Sequence, residues 1–374
     1  MKVLIVSRGV PTAQAPLNGI FEWDQALALA QNGAEVAYMA LDFRKITEFR
    51  PWGVRVYKRQ GIDVFELSLP TGIYRRGLPV LQAMCCNLYN KVEKTWGKPQ
   101  VMHTHFYFMG AIAAKLHQKT GIPWVHTEHS SKLNKPLAAI SALDKKLATA
   151  ALTKANRVVA VSTAYAQVLQ QNFGVTAKVV PNVVALDGAL LHRMPEGAFT
   201  WISVGRLIEG KGMHQLIDAF KELLSVQARA QLRIIGDGPE KENLQKQINQ
   251  YGLQDKITLL GMLSRAQIIE QLAKAHAFVL LSQSETFGLS YIEAMASGLP
   301  VVATNCGGPS YFVRQENGVL VPIGDTVAAT QAMLDMMQHY ENYNLAQIAA
   351  QTKQLFSAKN IAEQLQVIYN QLVV

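Results

Sequence analysis

Ser284-Glu285-Thr286-Phe287-Gly288-Leu289-Ser290-Tyr291-Ile292-Glu293-Ala294-Met295-Ala296-Ser297-Gly298-Leu299-Pro300-Val301-Val302-Ala303 reads as a loop, a helix and a strand. The apolar run at 277–281 ahead of it has the length and composition of a buried strand and ends at Ser282. Ser284 and Thr286 are candidate N-caps, and Leu289, Ile292, Met295 and Ala296 recur at helical spacing. Ser297-Gly298 stops that helix, and Pro300 opens a second buried strand. Glu285 stands at the mouth of the loop, and Glu293 follows inside the helix. The amides around Phe287, Gly288 and Leu289 open the helix and are placed to receive an anion. One segment thus offers anion-binding amides and two carboxylates that accept hydrogen bonds from hydroxyl groups. An isolated pair of glutamates is more often a solvated face. The surrounding residues change that weighting.

Outward from this segment, the second half of the chain repeats the alternation of strand and helix that calls for parallel sheets with helices on both faces. A strand at 199–204 leads into Gly205-Arg206-Leu207-Ile208-Glu209-Gly210-Lys211-Gly212, and a helix follows at 213–224. A further strand at 231–235 ends in Gly236-Asp237-Gly238-Pro239. Arg206 and Lys211 share one glycine-bearing loop, where an arginine fork and a lysine point charge suit a diphosphate. The loop has neither the Gly-Lys-Ser/Thr of a Walker loop nor a GxGxxG fingerprint, which counts against ATPase and dehydrogenase readings.

The first half begins with a strand, Lys2-Val3-Leu4-Ile5-Val6, ending at Ser7-Arg8-Gly9. Asn18-Gly19-Ile20 precedes a helix at 21–31, and glycine there lets a phosphate approach the backbone. Two strand ends carry His103, His105, His126 and His129 where an open α/β sheet binds ligands. Zinc is disfavoured for these four, because neither a helical His-x-x-x-His nor a cysteine partner accompanies them. His129 is the candidate for a hydrogen bond to substrate, with His126 its competitor, while His103 on a buried strand reads as core. A helix is expected over 137–154, and a linker over 183–197.

At 374 residues the chain suggests two domains rather than one core. Three cysteines, two of them adjacent, form neither a disulfide framework nor a metal pattern, and no apolar run approaches a membrane span. A cytoplasmic protein is expected, at most peripheral at the inner face of the membrane. Charge is uneven: residues 1–185 hold 22 Lys and Arg against 10 Asp and Glu, whereas residues 186–374 hold 14 against 17. The excess concentrates between 44 and 98, at Arg44, Lys45, Lys58, Arg59, Arg75, Arg76, Lys91, Lys94 and Lys98. No zinc-finger spacing or RNA-recognition signature accompanies it. An anionic membrane surface or an acidic substrate is favoured over nucleic acid, beside the plain alternative of a solvated face.

Ser203-Val204-Gly205-Arg206-Leu207 with Lys211-Gly212, Ile235-Gly236-Asp237-Gly238-Pro239, Ser284-Glu285 with Glu293 through Ala303, and Cys306-Gly307-Gly308-Pro309 occur in that order. With Val161-Ser162, Val180-Pro181-Asn182 and Asn317-Gly318-Val319-Leu320-Val321, they make the whole chain resemble the retaining family 4 (GT4) glycosyltransferases of the GT-B fold. The resemblance implies an α/β, GT-B architecture: two Rossmann-like α/β domains facing across a cleft. The first, acceptor-side domain is expected over 1–185 and the nucleotide-sugar domain over 186–355. A C-terminal helix within 356–374 is expected to cross back to the first domain.

The resemblance further implies transfer of a sugar, with retention, from a nucleotide-diphosphate sugar to a saccharide or lipid-linked acceptor, in cell-surface polysaccharide or glycolipid synthesis. No metal and no further cofactor is implied. Arg206 and Lys211 would hold the diphosphate, Glu293 the ribose hydroxyls, and Glu285 would lie by the donor sugar. Phe287, Gly288 and Leu289 complete the donor side. Gly19 and His129 match the phosphate-side glycine and sugar-side histidine of the first domain. Glu285, His129, Arg206 and Lys211 are the expected catalytic set. Two departures stand out: the family's glycine doublet is Asn18-Gly19 here, and its His-Gly is His129-Ser130. The rival readings are a sugar-nucleotide 2-epimerase of the same fold and a catalytically silent GT-B subunit. Loss of Glu293, Arg206 or Lys211 would mark the silent subunit, and all three are present.

Overall fold

The computed structural model describes residues 1–12, 14–15, 18–45, 47, 51–71, 77–184 and 197–373. The chain forms two compact units, Met1–Ala185 with Phe356–Val374, and Leu186–Leu355.

The N-terminal unit is built on β1 (Lys2–Ser7), β2 (Glu35–Arg44), β3 (Gly53–Arg59), β4 (Ile62–Pro70), β5 (Val101–His105), β6 (Trp124–Glu128), β7 (Arg157–Ala160) and β8 (Ala177–Val179). They lie in the order β3-β4-β2-β1-β5-β6-β7-β8. Around them pack α1 (Ile20–Gln31), α2 (Leu78–Trp96), α3 (Tyr107–Thr120), α4 (Ala142–Leu152) and α5 (Thr163–Phe173). The unbroken apolar run of β1 follows from burial on both faces. Val3 and Ile5 join the core layer that includes α1, while Leu4 and Val6 join the layer of α2 and α3.

The C-terminal unit carries β9 (Phe199–Val204), β10 (Ala230–Ile235), β11 (Ile257–Gly261), β12 (Ala277–Leu280), β13 (Val301–Thr304) and β14 (Gly318–Val321), in the order β11-β10-β9-β12-β13-β14. All its neighbouring strands pair in parallel. Its helices are α6 (Met213–Val226), α7 (Lys241–Gln250), α8 (Arg265–Leu272), α9 (Leu289–Ala296), α10 (Thr326–Gln338) and α11 (Leu345–Phe356). The last helix, α12 (Ala358–Asn370), packs on α1 in the N-terminal unit. Its buried residues Ile361, Ala362, Leu365, Ile368 and Tyr369 line one helical stripe.

Each sheet reverses its strand order beside its first strand, at β1/β5 and at β9/β12. The crevice at the carboxyl ends of such a switch point is where open α/β sheets hold ligands. Arg8 and Gly9 leave β1 and Phe106 leaves β5 at the first point. The loop bearing Arg206 and Lys211 leaves β9, and that bearing Glu285 leaves β12, at the second.

Four sequence expectations are corrected here. Strands are not parallel throughout: β3 runs antiparallel to β4, joined by a two-residue turn with Gln60 at φ 47° and Gly61 at φ 83°. Left-handed φ at both turn positions matches the twist of a hairpin. The basic stretch 44–98, to which the sequence reading assigned no elements, contains β3, β4 and the 19-residue α2. Its charges served as local ties: Arg55 pairs with buried Glu66 at 2.7 Å, and Arg59 donates to the Pro11 carbonyl. Arg44 is buried rather than solvent-facing, its guanidinium lying 4.5 Å from the Trp52 ring centroid and donating to the Pro51 carbonyl. The helix expected over 137–154 divides into a 3-10 turn at Leu137–Ala139 and α4, because Ser141 turns extended and caps the Asp144 amide. Arg75, Arg76 and most of the expected linker (185–196) lie outside the described residues.

Candidate functional site

In the C-terminal unit, a 3-10 turn at Glu209–Lys211 ends at Gly212, whose φ of 66° starts α6. A Cβ at Gly212 would stand 2.0 Å from the Leu281 carbonyl oxygen, so only glycine lets this loop close onto the end of β12. That approach delivers Lys211 Nζ to within 2.5 Å of Glu285 Oε1. Ser282 Oγ donates to the same carboxylate oxygen at 2.8 Å. The Glu285 backbone is held from the other side: its amide donates to the Cys306 carbonyl, and Gly308 donates to its carbonyl at 2.8 Å. A Cβ on Gly308 would fall 2.2 Å from the Phe287 carbonyl oxygen, which explains the glycine in Cys306-Gly307-Gly308-Pro309. Arg206, on the same loop as Lys211, is exposed and has no hydrogen-bond or ion-pair partner among the described residues.

Beyond Glu285, α9 begins at Leu289 with Gly288 as its N-cap at φ 102° and no capping side chain. The N-cap position is therefore taken by Gly288, in the left-handed conformation, rather than by Ser284 or Thr286 as the sequence suggested. Phe287 is buried and meets Phe312 edge-on. Glu293 points to another partner, Arg265 Nη2 at 3.3 Å. Burial pushes the Glu293 carboxyl above its usual range, and the Arg265 charge opposes that shift.

In the N-terminal unit, Gly19 is the left-handed N-cap of α1 at φ 72°, and a Cβ there would lie 2.1 Å from the Gly9 carbonyl oxygen. Asn18 in the departed doublet donates through Nδ2 to Asp42 at 3.3 Å. His129, just past β6, is 6 % exposed. Its ring is stacked on Phe21 at 5.7 Å and tilted against Phe106 at 4.9 Å, and its Nε2 meets His105 Nδ1 at 2.9 Å. Among the described residues His129 Nδ1 makes no hydrogen bond of normal geometry, and the Asn182 side chain lies beside the ring. The competitor His126 is engaged at both nitrogens, by Thr104 Oγ1 at 2.8 Å and Glu128 Oε2 at 3.3 Å. Among the described residues, His126 is fully engaged while His129 keeps Nδ1 for a ligand. His103 is core, as its strand position suggested, bridging Thr127 Oγ1 at 2.7 Å and the Tyr369 hydroxyl on α12 at 2.5 Å. Burial holds His103, His105 and His129 well below the ordinary imidazole range, His103 down to about 3. All three are neutral rings at working pH. Among the described residues, no group of three or more His, Cys, Asp or Glu side chains is placed to hold a metal ion.

The structure thus brings Lys211 and Glu285 together, places Glu293 on the helix they lead into, and locks His129 in a separate cluster in the other unit. Ser282, Arg265 and Phe106 were missed as members of these clusters, and His105 was named only as one of four strand-end histidines. Arg265 is 28 residues from Glu293 and no sequence pattern links the two. His105 carried a signal, since His103-x-His105 places its histidines on the same face of a strand.

Two family descriptions match in tandem: Glycosyltransferase Family 4 over residues 23–187, and Glycosyl transferases group 1 over residues 192–354. This chain belongs to the family 4 glycosyltransferases. One relative of this GT4 chain is the lipopolysaccharide core biosynthesis glycosyltransferase LpsE of Rhizobium meliloti (strain 1021), 37% identical over 152 residues, 40% of this chain and 43% of that protein. The chain therefore spans less than half the length of such curated relatives. Among solved structures, the GT4 chain is similar to the sucrose-phosphate synthase of Thermosynechococcus elongatus, with a TM-score of 0.82 at 22% identity over 99% of this chain and 98% of that one. It is also similar to Anabaena HepE in complex with UDP, with a TM-score of 0.75 at 19% identity over the whole of both chains. The fold is GT-B.

Proposed function

We propose that this chain is a retaining glycosyltransferase that moves a sugar from a nucleotide-diphosphate sugar to a saccharide or lipid-linked acceptor, in the synthesis of cell-surface polysaccharide or glycolipid. The observation that carries it is the Lys211–Glu285 pair at the mouth of α9, at the topological switch point of the C-terminal sheet. In this reading Lys211 and Arg206 meet the diphosphate, and the start of α9 at Gly288 and Leu289 adds partial positive charge. Glu293 accepts from the ribose hydroxyls, with Arg265 orienting it. Breaking the sugar–phosphate bond leaves an electron pair on the diphosphate, and fixed cations and amides stabilise it without a metal ion. Glu285, held by Lys211 and Ser282, faces the sugar as positive charge develops there. On the N-terminal unit, Gly19 is the phosphate-side group and the neutral His129 ring is the sugar-side group. No protein residue is assigned as nucleophile.

Calorimetric titration of a panel of UDP-, GDP- and ADP-sugars tests the reading. One donor should bind to the wild type, equally well in EDTA, and lose at least about tenfold in affinity in Glu293→Ala, as loss of a charged hydrogen-bond acceptor does. Failure of every donor to bind would remove the transferase assignment.

We also infer a cytoplasmic location with peripheral contact to an anionic membrane. Trp52, Val54 and Val56 are 41%, 48% and 42% exposed along β3, beside exposed Lys58, in the basic half of the chain. No helix among the described residues is long and apolar enough to cross a membrane. Val54→Glu with Val56→Glu should abolish flotation with phosphatidylserine-containing vesicles and leave nucleotide-sugar binding unchanged. Unaltered flotation would sink the membrane inference.

A further inference from the structure

The crevice at β1/β5 holds a cation that the donor reading does not use. Arg8 leaves β1, and its Nε donates to Glu22 Oε1 at 3.2 Å. Glu22 is fully buried in the first turn of α1, so this edge of the guanidinium is anchored to a carboxylate held inside the fold. One guanidinium face lies on the Phe106 ring, 3.7 Å from guanidinium carbon to ring centroid. Phe106 itself holds φ at 65°, a conformation costing a bulky residue on the order of 1–3 kcal/mol. Its ring continues into the His129 stack. The Arg8 side chain remains 37% exposed, and its two Nη groups have no hydrogen-bond partner among the described residues. A side chain fixed on one edge and one face, with its paired donors turned outward, has already lost the rotamer freedom that binding would otherwise cost.

We propose that Arg8 is a preorganised oxyanion-binding fork at the β1/β5 crevice, taking a phosphate-type group of the ligand beside His129 Nδ1. This deepens the transferase reading and rests on it for the ligand's origin: the anion belongs either to a phosphorylated acceptor or to the donor diphosphate. Two parallel N–H donors fit two phosphate oxygens, a geometry that lysine does not reproduce. The plain alternative is an ion pair that only neutralises buried Glu22.

The test titrates full-length protein with glucose 6-phosphate, glucose and UDP, for wild type, Arg8→Lys, Arg8→Gln and the double variant Arg8→Gln/Glu22→Gln. The double variant keeps a neutral hydrogen-bonded pair at the buried position, so a folding defect of Arg8→Gln alone is separable from loss of the fork. For a phosphorylated acceptor, glucose 6-phosphate should weaken about tenfold or more in all three variants, as loss of a bidentate charged contact does. Glucose and UDP should be unchanged. A parallel loss of UDP affinity also supports the fork and assigns it to the donor diphosphate. Wild-type binding of neither anionic probe, or equal binding by the well-folded double variant, overturns the proposal. If glucose 6-phosphate binds through Arg8 while no nucleotide sugar binds at all, the fork stands and the transferase reading falls.

Discussion

Lys211→Ala is expected to lower turnover with the cognate nucleotide sugar by about 100-fold or more, the usual result of deleting one donor that stabilises developing charge. Lys211 is well placed for this role because its loop is closed by Gly212 against β12 and cannot drift from the Glu285 carboxylate. The deletion has a second cost. Glu285 is only 12% exposed, and without Lys211 its charge is left to the Ser282 hydroxyl alone. Glu285→Gln separates the two effects, because it frees Lys211 from its ion pair. Free nucleoside diphosphate should then bind at least as tightly as to wild type, while turnover falls. Steady-state kinetics and calorimetry with UDP, GDP and ADP read both quantities. Near-wild-type turnover in Lys211→Ala would remove the diphosphate assignment.

Acidification from pH 7.5 to 5.5 is expected to destabilise the N-terminal unit by several kcal/mol. His103, His105 and His129 are held neutral by burial, whereas in the unfolded chain each titrates near 6.5. Below that value the unfolded state binds protons that the folded state refuses, so stability falls as pH falls. The slope is about 1.4 kcal/mol per pH unit for each ring, and above about pH 7 the contribution is flat. Each unfolded ring is half protonated at about 6.5 and reaches the full slope only below it, so three rings give roughly 3 kcal/mol between pH 6.5 and 5.5. Glu22, whose carboxyl burial pushes upward, acts in the opposite sense but is one group against three. Hydrogen exchange of the β5 and β6 amides at pH 7.5, 6.5 and 5.5 measures this unit by itself. Protection unchanged across that range would mean that the rings accept protons inside the fold.

Both experiments concern residues of unequal legibility. Lys211, Arg206, Glu285 and Glu293 stand out in the sequence because each sits in a short pattern bound to a strand end or helix start, and those patterns follow from local backbone requirements. Gly212, Gly288 and Gly308 show why: two hold left-handed φ and two abut carbonyl oxygens within a bond length or so of contact. His129 was chosen over His126 in the sequence as a strand-end histidine. Which ring nitrogens Thr104, Glu128 and His105 engage was not legible there, because it depends on the packing of β5 and β6.

Composition misled where charge was taken as a sign of exposure. Arg44 is buried on Trp52, and Arg55 and Arg59 tie down β3. An arginine carries enough apolar surface and enough donors to be consumed inside a fold, and a count of charges does not distinguish the two fates. The β3–β4 hairpin was passed over for a related reason. Gln60-Gly61 is a weaker turn signal than Asn-Gly, and its flanking strands alternate Val with Arg, Tyr and Lys.

From the sequence alone came the α/β class, the restart of the pattern in the second half, and the loop and helix motifs that carry Arg206, Lys211, Glu285 and Glu293. These depend on hydrophobic period and on glycine positions, which are properties of neighbours along the chain. Only the tertiary structure decided that Lys211 grips Glu285, that Arg265 holds Glu293, and that Arg8, Phe106, His129 and His105 form one cluster. So too with Tyr369, which reaches His103 across 266 residues of sequence. These contacts join residues whose separation in the chain carries no information about their distance. Sheet order and helix packing bring them together, and so the chemistry of each cluster is a property of the fold.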